Sequence, residues 1–375
     1  MARHGALGTT HADGGTDAQW RVSRHLHPLR GYQAGEHRVN ISKLKKSDVE
    51  GRDVTGGYLL RIDTFDEDDA TFKSKVPGIG DGIMTSEITW SCIYPKKKKL
   101  QPEQLDYIQR FIDTMEQVIQ SDYFADPKRG YAKYIDVPSF VDYFIHTELS
   151  LNADGYKRSA YFYKEKQHAD GTGGRLVAGP VWDYNLAYGN CNFCNANNIE
   201  AWCFEGGNTN PTPAFWQRLL QDPAFRKAVK VRYQALRKSV LSNKAINSYI
   251  DSHAKLLAPY IDRHFEKYPE LFGSDDKTLP NGFPGFGGFP PMGQMPAFGG
   301  GNMISWFAAY RVQSYDEEIR TLKQWLADRL SFLDRNIARF DKDWQPRIQQ
   351  PREIKAAPFG GFGGFGGIKP KIAVM

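Results

Sequence analysis

Apolar positions alternate early in the chain and recur at helical spacing later, and the breaks between the two patterns set the order of elements. Thr55-Gly-Gly-Tyr-Leu-Leu-Arg-Ile-Asp63 reads as a strand entered through a glycine pair. Ile88 to Tyr94 reads as a second strand, closed by Pro95. Pro102-Glu103 opens an amphipathic helix in which Leu105, Ile108, Phe111, Ile112 and Met115 share one face. Asp136-Val-Pro-Ser-Phe140 starts another, with proline in its first turn and a buried stripe of Phe140, Val141, Phe144, Ile145 and Leu149. Residues 159–165 and 175–182 read as two strands, and the turn from Gly171 to Gly174 makes them a hairpin. Beyond them the spacing is helical over 215–220, 224–240 and 245–268. It is helical again along Ile319, Leu322, Leu326, Leu330, Leu333 and Ile337, a long seam with charges opposite.

Three stretches carry no such period. Residues 1 to about 50 hold five of the nine histidines (His4, His11, His25, His27, His37) at irregular spacing, which reads as an atypical N-terminus rather than a metal site. Residues 281–301 are Gly/Phe/Pro low complexity, and Phe359 to Gly367 repeat Phe-Gly-Gly; neither composition builds a packed core. The chain of 375 residues is otherwise 41% hydrophobic and 25% charged, the profile of a globular protein of one large or two smaller domains. No apolar stretch is long enough for a membrane span, and residues 1–30 lack the apolar run of a signal peptide. A net charge of +6, dispersed along the chain, makes no case for a nucleic-acid partner.

The acidic run Asp66 to Asp69 and the lysine run Lys96 to Lys99 read as solvated turns, with a cation site and a phosphate-facing patch as the minor readings. The glycines of 282–288 lack the strand-to-helix context of a nucleotide-phosphate loop. Cys191-x-x-Cys194 with Cys203 is one thiol short of a zinc set, which favours a thiol pair or a disulfide.

The informative region is 148–189. A helix end runs into Asn152-Ala-Asp154-Gly, and the hairpin then leads to Gly179-Pro-Val-Trp-Asp183-Tyr-Asn185. A hairpin brings its ends together, so Asp154 and Asp183 are expected to converge. Two carboxylates so placed suit phosphoryl transfer to a hydroxyl: one orients the acceptor and takes its proton, the other holds magnesium across nucleotide phosphates. Ser159 follows Asp154 by five positions, the spacing of the second metal ligand in a protein-kinase catalytic loop. The plainer reading is a hairpin whose ends are merely capped by Asp and Asn.

Several segments resemble the CotH family of spore-coat-type protein kinases. They are Tyr134 to Asp154, Ser159-Ala-Tyr-Phe-Tyr-Lys164 and Gly179-Pro-Val-Trp-Asp-Tyr-Asn-Leu-Ala-Tyr-Gly-Asn190, joined by the Thr55 strand and by Tyr315 to Asn336. The resemblance runs from about Arg38 to Asp341. It implies an α+β, divergent protein-kinase-like fold with a helix-rich C-lobe, spanning 38–345 with 281–301 as an insert and 346–375 as a tail. The N-lobe would be incomplete, because its front part should precede Arg38 and nothing in 1–37 resembles it. The expected activity is transfer of the ATP γ-phosphate, with Mg2+ or Mn2+, to Ser or Thr of a coat or secreted protein. Asp154 falls on the catalytic aspartate and Asp183 on the metal-binding one. Asn152 and Ser159 become nucleotide-side neighbours, and Asn185 a second metal ligand where many members carry aspartate. The resemblance places such a protein outside the cell or in its envelope. An inactive CotH-like protein of surface or coat assembly is the alternative.

Overall fold

The structure is a computed structural model that describes residues 39–64, 67–79, 87–191, 196–205, 212–267, 314–341 and 344. The histidine-rich start, the Gly/Phe/Pro insert, the Phe-Gly-Gly tail, Asp66 and Cys194 lie outside the described residues.

The α+β reading holds, and the helices dominate. The elements run β1 (Tyr58–Ile62), β2 (Ala70–Lys73), β3 (Gly78–Ile79), β4 (Thr89–Tyr94), α1 (Pro102–Gln120), α2 (Val137–Ser150), β5 (Ala160–Lys164), β6 (Leu176–Ala178) and β7 (Thr212–Pro213). Five helices complete the order: α3 (Ala214–Leu219), α4 (Pro223–Arg237), α5 (Asn243–Leu257), α6 (Ile261–Lys267) and α7 (Tyr315–Ile337). Where helical spacing over 245–268 predicts one helix, a 3-10 turn at Ala258–Tyr260 divides it, at the proline that cannot continue the backbone hydrogen bonding. Strand β2 is too short, at four residues, to stand out as a period.

The expected hairpin forms, with Phe162 opposite Ala178, but it does not stand apart. It joins a five-stranded sheet in the order β2-β4-β1-β5-β6, in which every neighbouring pair is antiparallel. Strand β1 is the bridge: Leu60 lies opposite Phe162 and Ile62 opposite Ala160. Alternation puts Tyr58, Leu60, Ile62, Trp90, Cys92 and Phe162 on the buried face. There Ile108, Ile112 and Met115 of α1 are fully covered, while Leu105 and Phe111 are partly covered. Trp90 donates through Nε1 to Glu116 of α1 (3.1 Å), a polar bond inside the apolar layer.

Helix α2 runs through the centre of the core. Its N-cap Asp136 accepts from the Ser139 amide (2.9 Å), and Pro138 occupies the first turn without losing a helical bond. All five residues of its predicted stripe are buried. The rings of Phe140 and Trp216 lie 5.2 Å apart and those of Trp90 and Phe162 5.1 Å, so α2, α3 and the sheet share one aromatic layer. Helix α7, capped by Ser314 with three acids in its first turn, packs against α2, α4 and α5. Among the described residues no helix is long and apolar enough to cross a membrane.

Candidate active site at the sheet end

Helix α2 ends where Leu151 takes a left-handed backbone (φ 48°), which turns the chain into the loop 152–159. Asn152 holds this loop from within: its Oδ1 accepts from the Asp154 amide (3.1 Å) and its carbonyl from the Gly155 amide (3.0 Å). Tyr143 donates to the Gly155 carbonyl (2.5 Å) and Tyr156 to Oε1 of Glu148 (3.0 Å). The Asp154 carbonyl accepts from the amides of Lys157 (3.2 Å) and Arg158 (2.9 Å).

The segment after β6 is bonded directly to this loop. Ala153 donates to the Leu186 carbonyl (3.0 Å), and Tyr188 to the Ser150 carbonyl (2.7 Å). Tyr184 is held from the other side by α2, with its ring edge-on to His146 (4.6 Å) and its hydroxyl 3.4 Å from Thr147 Oγ1. Gly189 fits under Trp325 of α7, with no room for a side chain. The four non-glycine residues with positive φ among the described residues are Leu151, Ser159, Asp183 and Tyr188. Backbone strain is thus concentrated on these two segments, the pattern of sites where geometry is over-determined by packing.

The segments that carry Asp154 and Asp183 are thus joined by backbone hydrogen bonds, and the charge of Asp183 is felt at Asp154. Burial raises the pKa of Asp154; Arg158 and Lys157 oppose the rise, and the charges of Asp63 and Asp183 add to it. Asp183 is exposed, and its pKa is raised by partial burial and by Asp63, against the Asn185 amide that donates to it. Asp63 is the third member, unnoticed in the sequence. It follows β1 directly, after Ile62, which lies opposite Ala160 in the register. The Thr64 amide donates to its Oδ1 (2.7 Å). Three strand ends, those of β1, β5 and β6, thus meet beside the 152–159 loop.

The remaining predicted residues sort by exposure. Asn185 is exposed beside Asp183, with its carbonyl accepting from Asn190 (2.9 Å). Ser159 is buried and left-handed (φ 47°), at the start of β5. Asn152 is fully buried and shapes the loop from beneath; its Nδ2 has no hydrogen-bond partner among the described residues. Cys203 donates through Sγ to the Asn152 carbonyl (3.0 Å). Cys191 and Cys203 form no disulfide with a described residue.

Among the described residues no three His, Cys, Asp or Glu side chains are placed to hold a metal ion by themselves. Magnesium needs no such cluster, since it takes one or two carboxylates and completes its shell with water and phosphate oxygens. Asp183 and Asp63 are the two carboxylates that would hold it, and the charge of Asp63 raises the Asp183 pKa.

Beneath the site lies a buried ion network. Glu148, at the end of α2, accepts from the amides of Cys203 and Phe204 (2.9 Å each), from Tyr156 and from Arg329 of α7 (3.3 Å). Arg329 also donates to the carbonyls of Glu148 (2.8 Å), Ala201 (2.7 Å) and Ile199. A separate cavity of about 410 Å³ lies between α4 and α7, lined by Tyr233, Arg237 and Asp334 among others, and contains none of the sheet-end residues.

A family model described as CotH kinase protein matches residues 38–333. No curated protein matches the chain.

Proposed function

We propose that this chain, which belongs to the CotH kinase family, transfers the γ-phosphate of ATP to a Ser or Thr hydroxyl of a protein, on a divergent kinase-like fold. The observation that carries the reading is the joining of the Asp154 loop to the Asp183 segment by two backbone hydrogen bonds, with Asp63 as a third carboxylate in reach.

Asp154 has the properties of a group that orients and deprotonates an alcohol. It is half-buried, and burial makes its carboxylate a better proton acceptor than a free one. Asp183, exposed at the strand end with Asn185 beside it, would hold Mg2+ or Mn2+, with Asp63 nearby. The ion, when bound, would neutralise charge on the nucleotide phosphates and fix their orientation. Asn152 keeps the loop in shape through the Asp154 amide, and Ser159 anchors its far end to β5. The acceptor is proposed to be a coat or secreted protein, which puts the reaction outside the cell or in its envelope.

A non-catalytic role in surface or coat assembly is the second reading. The neutral Asn185, at a position where the resemblance leads one to expect a carboxylate, favours it.

Calorimetry with ATP and Mg2+ on the full chain separates the two. Saturable binding that Asp183→Asn abolishes supports the kinase, and a folded chain that binds nothing at millimolar ATP overturns it. With a γ-labelled nucleotide and Ser/Thr peptides, Asp154→Asn is expected to lower transfer by about 10²–10⁴-fold. Full transfer by that variant would remove Asp154 from its role.

A further inference from the structure

At the end of the sheet away from Asp63, two lysine runs that lie far apart in the chain meet on one surface. Lys43, Lys45 and Lys46 come from the loop ahead of β1, and Lys96, Lys98 and Lys99 from the turn between β4 and α1; all six are exposed. The first turn of α1 is bonded to both runs. Gln104, 1% exposed, donates through Nε2 to the carbonyls of Lys45 (2.7 Å) and Asp48 (3.1 Å), and its Oε1 accepts from the Gln101 amide (3.0 Å). Gln101 in turn donates to the Lys99 carbonyl (3.0 Å). None of the six lysines forms an ion pair with a described residue; the lysine ion pairs there involve Lys73, Lys75, Lys166, Lys230 and Lys323 instead.

Like charges gathered on one surface repel, and the grouping works against stability until an anion answers it. The carboxylates at hand do so only in part. Asp48 accepts from the Lys45 amide (2.8 Å) and the Ser47 hydroxyl (3.3 Å), which leaves the exposed Glu50 and Glu103 against six lysines. The N-terminus of α1, a helix of 19 residues, adds its own positive end. The character of the surface narrows the partner. Nucleic acid is read by arginine forks and stacked aromatic rings, and a lipid surface is held by inserted apolar side chains as well as by charge. None of the exposed large hydrophobic side chains among the described residues belongs to these runs or to the first turn of α1. Lysine is a point charge on a flexible stem, which suits carboxylates presented one after another along an extended chain. The surface also lies within reach of the site. The five residues of β1 separate it from Asp63, a span of about 17 Å at the rise of a strand, which five or six residues of extended chain bridge.

We propose that this lysine surface docks an acidic segment of a partner protein. The partner's identity rests on the phosphotransfer reading above: it is the acceptor, held by a tract of Asp and Glu about six residues from the Ser or Thr that enters the site.

The test uses a serine peptide carrying a glutamate tract at that separation, and its counterpart with glutamines in the tract. Dissociation constants are read by fluorescence anisotropy, without nucleotide, on the full chain, on Lys45→Gln/Lys46→Gln and on Lys96→Gln/Lys98→Gln/Lys99→Gln. All the replaced side chains are exposed, so each variant should keep the native unfolding transition. The unaltered chain should bind the glutamate peptide and not the glutamine one. Each variant should weaken that binding about 3- to 30-fold, and high salt should remove most of it. In phosphotransfer to the glutamate peptide the variants should raise KM and leave kcat within about twofold. Equal binding of the two peptides, or variants that bind as the unaltered chain does, would overturn the docking surface. Tighter binding of a single-stranded oligonucleotide or of phosphatidylserine vesicles would overturn it as well, by giving the surface to another polyanion. Lysine-dependent peptide binding by a chain that transfers no phosphate would overturn the phosphotransfer reading and leave the docking surface standing. Transfer to both peptides at equal KM would do the reverse.

Discussion

Arg329→Met is the sharpest perturbation of the support beneath the site. Both Arg329 and Glu148 have fully buried side chains, and methionine fills a similar volume, so the change is mainly electrostatic. Removing one partner of a buried pair leaves the other uncompensated, at a cost of about 3–5 kcal/mol. Three carbonyls also lose a donor, although those of Ile199 and Ala201 belong to a loop that can take up water. Burial raises the pKa of Glu148, while Arg329 and the donors of Cys203, Phe204 and Tyr156 pull it down. In the variant the arginine's pull is gone and the pKa rises further. A carboxyl with a raised folded pKa is tolerated below its unfolded pKa and becomes costly as pH climbs to the folded one. The loss relative to the native chain should therefore be smallest below about pH 7, where Glu148 is neutral in both folded proteins, and grow as pH rises above it. Urea unfolding at several pH values reads it, and the double variant Glu148→Gln/Arg329→Met should lose less than Arg329→Met alone. A loss below about 1 kcal/mol at pH 8, or a loss that ignores pH, would refute the argument.

Two further perturbations probe the packing. Glu116, buried under the sheet, has its pKa pushed by burial from 4.5 to about 7, despite hydrogen bonds from Ser74 and Trp90. Stability of the native chain should fall by up to about 3 kcal/mol as pH rises through that interval. Glu116→Gln should flatten the slope by the share of this residue, leaving that of Glu148, and be the more stable protein at pH 8; parallel profiles for the two would contradict this. Gly189→Ala places a methyl 2.6 Å from Trp325 Cδ1 at a φ of +82°, which predicts a loss of about 1–3 kcal/mol in thermal unfolding. A neutral outcome would mean that Trp325 is not seated on this glycine.

Whatever depends on neighbours in sequence was legible before the fold. The cap and proline of α2, the apolar faces of α1 and α7 and the β5–β6 hairpin follow from local spacing. The hairpin in turn brings the segment after β6 back beside the 152–159 loop. The pattern around Asp154 and Asp183 was also distinctive enough to indicate the family. What joins distant parts was not legible. Asp63 reaches the site only because β1 pairs with β5 across about a hundred residues, and no period within either strand announces that pairing. Lys164 reads as the polar end of a strand until Tyr107 and Phe111 of α1 close over it. Arg329 looks like one of the charges on a helix, and only the arrival of Glu148 and the 199–201 carbonyls makes it a buried anchor. Such burial exists only in three dimensions, because charge compensation depends on which groups the fold brings near and which it leaves away.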